Sequence, residues 1–286
     1  MSEKPAKPIV RMSVRAVVET TLHESDLSPA AGAAKRMREG ALAHKARQSA
    51  GRGEEREYRA ETALSAVYEA EALTLRVTGR ADALFVREDG VNVVEEIKLG
   101  AEGAALLPAH QAQAAMYAHM LCRRDALERV CLRVLYVDTE GKRLAQYERE
   151  AGAQELAEGF AALCAPAAAW EAEKLARRRA RDETLERLAF PFDAYRAGQR
   201  KFAANVYIAV RERRRLFAQA PTGIGKTMAA LYPALRALGE GKIARVVFLT
   251  ARTTGRRSAM DALARLGARG ARLLAVEIAA KDKVCP

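Results

Sequence analysis

The spacing of apolar and polar positions divides the chain into stretches of different period. Residues from about 9 to 150 mix helical and strand patterns. From about 153 to 188, AQELAEGFAALCAPAAAWEAEKLARRRARDETLERL is rich in Ala, Glu and Arg and reads as helix throughout, interrupted near Pro166. AFPFDAYRAGQ then gathers aromatic residues, proline and glycine, the punctuation of a new start. Beyond it the pattern runs helix, short apolar strand, glycine-rich turn, helix, strand, helix, strand. That alternation predicts a parallel sheet covered by helices. The chain therefore reads as α/β, with a domain over 1–150, a helical linker over 151–188 and a second domain over 189–286. There is no internal repeat.

Period-two alternation gives one segment chemical content. In VTGRADALFVREDGVNVVEEIKLG, Val77 to Gly100, the run Glu88-Asp89-Gly90 suits a three-residue hairpin loop with glycine in the left-handed position. Arg87 then faces Val91, and Asp82 faces Glu96, because the index sums match. Side chains alternate along a strand, so Asp82, Glu96 and Lys98 share one face and Glu95 points to the other. Like charges directly opposite one another are destabilising, and a divalent cation between them removes that cost. A two-residue loop would shift the register by one and separate Asp82 from Glu96. Hard oxygen ligands suit Mg²⁺ or Mn²⁺, and a neighbouring lysine can orient or activate water and stabilise developing phosphate charge. Two further segments bring polar side chains on helices. GALAH places His44 on a helix expected to start near Ser28-Pro29, a good cap and first position. HQAQAAMYAHM places Gln113 and Tyr117 four apart, hence on one helical face.

The second domain carries a phosphate loop. In LFAQAPTGIGKTMAALYPALRAL, an apolar strand (Leu216 to Gln219) leads into a turn, Thr222-Gly223-Ile224-Gly225, and a helix begins around Lys226. Gly223 and Gly225 let the backbone aim N–H groups at phosphate oxygens, with the positive helix N-terminus behind them. Lys226 would reach the β- and γ-phosphates and the Thr227 hydroxyl would ligate Mg²⁺, which makes ATP the expected nucleotide. Pro233 inside the following helix breaks the helical rule and is expected to mark a kink.

Composition narrows the setting. The 286 residues carry a formal net charge of +12, and the sequence pI of about 9.8 favours polyanionic partners. Half the residues are hydrophobic, enough to bury real cores. MSEKPAKPIVRMSV has no apolar core of a secretory signal, and nowhere do eighteen apolar residues run together, so a soluble cytoplasmic protein with no membrane partner is expected. Cys122, Cys131, Cys164 and Cys285 show no paired short spacing, which argues against a disulfide framework or a complete metal site. The first three read as buried thiols.

These motifs, in this order, carry two family resemblances. APTGIGKT resembles motif I of superfamily 2 helicases. FPFDAYRAGQRKFAANVY resembles the segment in which Gln199 would bond the adenine edge, and RVVFLTARTTGRRSAMDAL resembles motif Ia. There Thr250, Arg252, Thr253 and Thr254 would hold single-stranded DNA by its phosphates; the plainer reading makes Arg252, Arg256 and Arg257 a solvated helix start. AAKDKVCP resembles the segment that in DinG- and XPD-like helicases carries the first cysteine of a 4Fe–4S cluster, a role implied for Cys285 in the full-length protein only. Gly-x-x-x-His, Gly-Arg-Ala-Asp, Glu-Ile-Lys and Gln-x-x-x-Tyr resemble the RecB-like branch of the PD-(D/E)XK nucleases. That resemblance implies metal binding by His44, Asp82, Glu96 and the Ile97 carbonyl, Lys98 as catalytic lysine, and Gln113 and Tyr117 steadying the site or the DNA. The resemblance as a whole is to bacterial fusions of a RecB-like nuclease domain with a DinG/XPD-type helicase, whose motor has a RecA-like P-loop domain.

The expected function is ATP-dependent DNA unwinding in repair or processing, with an associated Mg²⁺- or Mn²⁺-dependent deoxyribonuclease. No strand in residues 189–286 ends in the acidic pair that hydrolysis needs, so the chain reads as truncated, a poor nucleotide binder that does not unwind DNA by itself. Two other readings fit the same residues. One is a DNA-guiding module whose nuclease fold no longer cuts, and the other is a generic P-loop ATPase.

Overall fold

The structure is a computed structural model and describes residues 6–22, 33–251 and 253–279. It divides into two compact units, Met1–Ala172 and Glu173–Pro286, and the division falls inside the stretch expected as a helical linker.

The first unit is built on a mixed sheet. In chain order its elements are β1 (Ile9–Ser13), α1 (Val14–Thr21), α2 (Ala33–Glu54), β2 (Arg56–Glu69), β3 (Thr74–Val86), β4 (Asn92–Leu99), α3 (Pro108–Asp125), β5 (Arg129–Val137) and β6 (Arg143–Gly152). The strand order is β1-β3-β4-β5-β6, with β2 also on β3. β2 runs antiparallel along one whole edge of β3, from Glu69↔Thr74 to Arg56↔Val86. β1 and β4 must therefore share the other edge. β1 takes Thr74 to Thr78 in parallel, and β4 takes Ala83 to Val86 antiparallel. Between them Gly79, Arg80, Ala81 and Asp82 have no strand on that edge, so β3 and β4 diverge like the arms of a fork.

Local sequence explains the arms. Gly90 has φ of 86° and donates to the Arg87 carbonyl at 2.9 Å, while Arg87 N–H donates to the Val91 carbonyl at 2.9 Å. This is the three-residue loop, and it sets the register Ala83↔Glu95 that continues toward Asp82 and Glu96. β4 then pairs in parallel with β5, from Val93↔Cys131 to Leu99↔Val137. β5 reads RVCLRVLYV and is buried from Val130 onward, as a strand covered on both faces should be. β6 is the sheet edge, and its charged sequence RLAQYEREAG discourages pairing with another chain.

Helices cover both faces. Ala43 of α2 packs with Ile97, Leu135 and Val137, while Gln113 of α3 reaches Lys98 on the opposite face. The Ser13 hydroxyl accepts from Ala16 N–H and caps α1, which buries Val14, Val17 and Val18. Proline at the first position of α3 and left-handed Ala126 after its end give that helix clean limits.

One buried charge network ties α2 to the sheet. Glu95 is fully buried, and its Oε2 accepts from Arg47 at 3.4 Å and from Arg133 at 3.3 Å. Arg133 also pairs with Glu55 at 2.9 Å and lies 4.7 Å over the Phe85 ring. Burial pushes the Glu95 carboxyl upward in pKa against the pull of the two guanidinium groups.

Beyond β6 the structure corrects two expectations. Helix α4 (Ala153–Glu186) is continuous through Pro166. Pro166 has no N–H to give to the Ala162 carbonyl, and the helix runs on without that one bond; separately, the Thr21 hydroxyl donates to the Leu163 carbonyl at 2.9 Å. In the second unit the expected parallel sheet is absent: among the described residues its elements are helices α5 (Gln199–Arg211), α6 (Lys226–Gly239) and α7 (Thr253–Ala268), with the end of α4. Helices α6 and α7, with the end of α4 and Leu188 just after it, close a core of Leu185, Leu188, Met228, Leu231, Leu235, Leu238 and Leu266. Leu216 to Gln219 and the RVVFLT segment form no ladder, and Phe217 and Leu249 stand 93% and 87% exposed. Parallel strands depend on neighbours and on cover over both faces, which these segments lack among the described residues. Helix α6 continues through the buried Pro233.

Removing one partner from a buried ion network leaves the others uncompensated. Glu95→Ala should lower the unfolding free energy of the first unit by about 3 kcal/mol, read by urea denaturation. A change below about 0.5 kcal/mol would mean that Arg47 and Arg133 are held well enough by their other partners.

Candidate active site

The fork collects side chains from both faces of the sheet. Asp82 stands one residue past the last ladder pair, and its Oδ2 accepts from Ile97 N–H at 2.7 Å. A carboxylate thus takes the place of a strand partner. N–H and C=O of one strand residue point to the same side, so the Ile97 carbonyl also faces the fork. His44 Nδ1 lies 3.4 Å from Asp82 Oδ1. Lys98 Nζ donates to Glu96 Oε1 at 2.7 Å and to Gln113 Oε1 of α3 at 2.8 Å. The lysine is therefore aimed by two acceptors, one from its own strand and one from α3.

Tyr117 fills the unpaired stretch of β3. A Cβ on Gly79 would meet the Tyr117 hydroxyl at 2.6 Å, so the glycine of Gly-Arg-Ala-Asp is what lets the ring lie against the strand. Burial, then the charges of Glu96 and Asp82, push the Tyr117 hydroxyl upward in pKa, so it stays protonated as a donor.

The electrostatics favour a cation. Glu96 is 4% exposed; burial first, then the charge of Asp82, push its carboxyl up to about 7. Its Oε2 is buried with no hydrogen-bond partner among the described residues. Burial lowers the His44 imidazole, but the hydrogen bond and charge of Asp82 outweigh it and leave its pKa raised. Among the described residues, the ligand atoms close enough for one ion are those of His44, Glu61 and Asp82, an imidazole and two carboxylates that fit Mn²⁺ or Mg²⁺, while the orphaned Glu96 oxygen stands in the field of Asp82. Beside Lys98, a cleft of about 400 Å³ is lined by Arg15, Val18, Glu19, Leu22, His110 and Gln113.

Glu61 is the residue sequence reasoning missed. Ligand atoms of His44, Glu61 and Asp82 lie within 4.8 Å of one another. Glu61 sits on β2 opposite Asp82, bracketed by the pairs Ala60↔Ala83 and Thr62↔Ala81. Glu95, by contrast, points away into its arginine pair, as alternation requires.

The second unit holds the glycine-rich turn ahead of α6. Gly223 and Gly225 have φ of 87° and 81°, and Gly225 precedes the helix as its cap. Lys226 Nζ donates to the Ala220 and Pro221 carbonyls at 3.0 and 2.9 Å, folding the ammonium over the turn. Gln199 is buried; its Nε2 donates to the Gly225 carbonyl at 3.3 Å and its Oε1 accepts from Arg196 N–H at 3.0 Å. The Arg196 guanidinium also donates to the Gly223 carbonyl. The Thr227 hydroxyl accepts from Ser258 on α7 at 3.2 Å. Thr222 and Ile224 lie within the turn. Arg196 and Ser258 were not singled out from sequence; Arg196, three before Gln199, was the legible one. Thr250, Thr253 and Thr254 are exposed around the start of α7, and Arg256, expected to be solvated, pairs with Glu277 at 2.7 Å. Arg252, Cys285 and the Ser28-Pro29 cap lie outside the described residues. Cys122, Cys131 and Cys164 are free, buried thiols. Among the described residues no helix is long and apolar enough to cross a membrane.

Residues 196–279 match the family of DEAD/DEAH box helicases. This part of the chain is of helicase type, the kind of domain that binds ATP with a divalent metal and engages nucleic acid. No curated protein matches the chain. Among solved structures it is similar to one described as SSO0001, at 18% identity over 58% of this chain and 77% of that one, with a TM-score of 0.37. That likeness is too slight to bear on the fold.

Glu96 gives the site a pH signature. Between about 4.5 and 7 the folded chain keeps a proton that the unfolded chain has released. Proton binding is then greater in the folded state, so unfolding free energy falls as pH rises through that window. Thermal melts of the first unit's transition without divalent metal should show this fall, and Glu96→Gln should flatten it. Equal slopes in both proteins would show that Glu96 titrates normally.

Proposed function

We propose that the chain is a DNA-processing enzyme in which a metal-dependent nuclease unit precedes a helicase-type ATP-binding unit. The helicase half is supported by the family match over residues 196–279 and by the glycine-rich turn, whose lysine and threonine stand at the N-terminus of α6. The nuclease half rests on one observation: two bonded sets, His44 with Asp82 and Lys98 with Glu96 and Gln113, stand in each other's electrostatic field at the fork.

His44, Asp82, Glu96 and the Ile97 carbonyl would hold the cation, which supplies Lewis acidity toward a phosphodiester. Lys98, aimed by Glu96 and Gln113, presents its remaining ammonium proton to the attacking water or to a phosphate oxygen. Gln113 also keeps the lysine from collapsing fully onto the carboxylates. Tyr117 closes the floor of the fork against Gly79 and limits water there to the open side. Arg15 and His110 line the cleft that leads to Lys98, where a DNA phosphate can approach.

In the helicase-type unit, the backbone of Thr222 to Gly225 would cradle nucleotide phosphates, with Lys226 swinging from its two carbonyls to meet them. Thr227 would hold Mg²⁺, and Gln199, tied to the same turn, would report the base. Thr250, Arg252, Thr253 and Thr254 are the proposed contacts to single-stranded DNA. Cys285 is proposed as one ligand of a 4Fe–4S cluster, as in DinG- and XPD-like helicases.

The deciding assay is nicking of single-stranded DNA with Mn²⁺ or Mg²⁺. The wild-type chain should cut, and Asp82→Ala and Lys98→Ala should each slow cutting by about 10²-fold or more. Wild-type protein as inert as both variants across metals would instead assign this unit to guiding DNA without cutting it.

A further inference from the structure

Tyr136 holds an imidazole beside Lys98. It lies on β5 directly across from Lys98, so the two side chains leave the sheet on one face. Its buried ring is tightly placed: a Cβ on Gly100 would meet it at 2.8 Å, and the Tyr147 ring packs edge-on against it with centroids 6.2 Å apart. The Tyr136 hydroxyl accepts from Leu107 N–H at 3.1 Å and lies 2.8 Å from His110 Nδ1. A buried hydroxyl also needs an acceptor for its own proton, and among the described residues His110 Nδ1 is the one it reaches. Nδ1 therefore accepts, and the ring proton sits on Nε2. Burial first, then the charge of Lys98, push the His110 imidazole down to about 4, so the ring is neutral near pH 7.

His110 and Gln113, three apart on α3, both line the cleft of about 400 Å³ beside Lys98. His44, Asp82 and Glu96 do not line it, so a phosphate in this cleft is not the one that a metal at those residues would hold. The Lys98 ammonium is already shared between Glu96 and Gln113, and the exposed Arg15 guanidinium is bound to Glu19 at 2.6 Å. His110 Nε2 is left without a hydrogen-bond partner among the described residues. An unused neutral donor beside an ammonium suits a phosphodiester oxygen. It adds a hydrogen bond to the anion without a further positive charge to repel Lys98 or a divalent ion.

We propose that this cleft seats the nucleotide next to the cleavable bond, and that His110 Nε2–H donates to a non-bridging oxygen of its phosphodiester. The inference rests on the reading of the fork as a nuclease site. Lys98 serves the bond that is cut, while His110 grips the neighbouring phosphate and so fixes the register of the strand against the fork. Tyr136 is a positioning residue that acts through the imidazole.

The test uses the full chain with Mn²⁺ and single-stranded oligonucleotides in which one phosphate beside the cut site is a neutral methylphosphonate. In wild type, that replacement on one side of the cut should lower kcat/KM about tenfold. His110→Ala should lose a similar factor on the unmodified strand and nothing further on the modified one, because the two changes remove the same contact. His110→Gln, whose amide nitrogen keeps a donor near the position of Nε2, should recover part of the loss. Three results would each overturn the subsite and leave the nuclease reading standing: a wild type indifferent to the methylphosphonate, His110→Ala cutting like wild type, or His110→Ala cutting slowly with the methylphosphonate penalty intact. Absence of Mn²⁺-dependent cutting by wild type would overturn both.

Discussion

A strand has two edges, and β3 must serve three neighbours. β2 occupies one edge completely, so β1 and β4 divide the other and leave Gly79 to Asp82 without a partner. Backbone groups in a sheet interior seek partners, and here side chains supply them. The Asp82 carboxylate takes the Ile97 amide, and the Tyr117 ring covers Gly79. The same gap opens a passage between the faces, through which His44 on α2 meets a carboxylate whose neighbours Glu96 and Lys98 are served by α3. The site is a consequence of how the sheet is paired.

Adjacent glutamates show how that pairing sorts charge. Glu95 and Glu96 are both buried, and alternation sends them to opposite faces. Glu95 meets two arginines, one from α2 and one directly across on β5. That network anchors the helix that also carries His44 and Gln48, three residues before and one after Arg47. Glu96 meets only a lysine that it shares with Gln113, and each of the two glutamates keeps one buried oxygen without a hydrogen-bond partner among the described residues. The carboxylate between two guanidinium groups holds the scaffold, and the one beside a single ammonium faces the fork with less of its charge matched. The two roles depend on a register that a one-residue slip would exchange.

Much of this was legible because the turn after β3 advertises itself. Glu88-Asp89-Gly90 named the loop length, the loop length fixed the register, and the register put Asp82, Glu96 and Lys98 together. Glu61 was hidden for the matching reason. The turn between β2 and β3 closes at Glu69↔Thr74 around Glu71 and Ala72, with no glycine, proline or asparagine to mark it. Without that register, a glutamate in a long polar strand reads as a solvated charge. The phosphate turn was equally plain, since Gly223 and Gly225 carry positive φ where the pattern asks for it. The strands around it were not. Their apolar runs do signal a preference, but strands form by pairing, and the second unit provides no ladder among the described residues. Proline misled in a different way. A helix rule about isolated backbones gave a break at Pro166, but the loss of one bond in a helix of 34 residues leaves α4 unbroken.

The central claim is that the fork of β3 and β4 is a place for divalent metal. Anomalous diffraction from crystals of the chain soaked in Mn²⁺ reads this directly, without reliance on any activity. Anomalous density is expected at the fork, in contact with Asp82 and Glu96. Density elsewhere on the chain, with Asp82 still bonded to Ile97 and no peak beside either carboxylate, would contradict it.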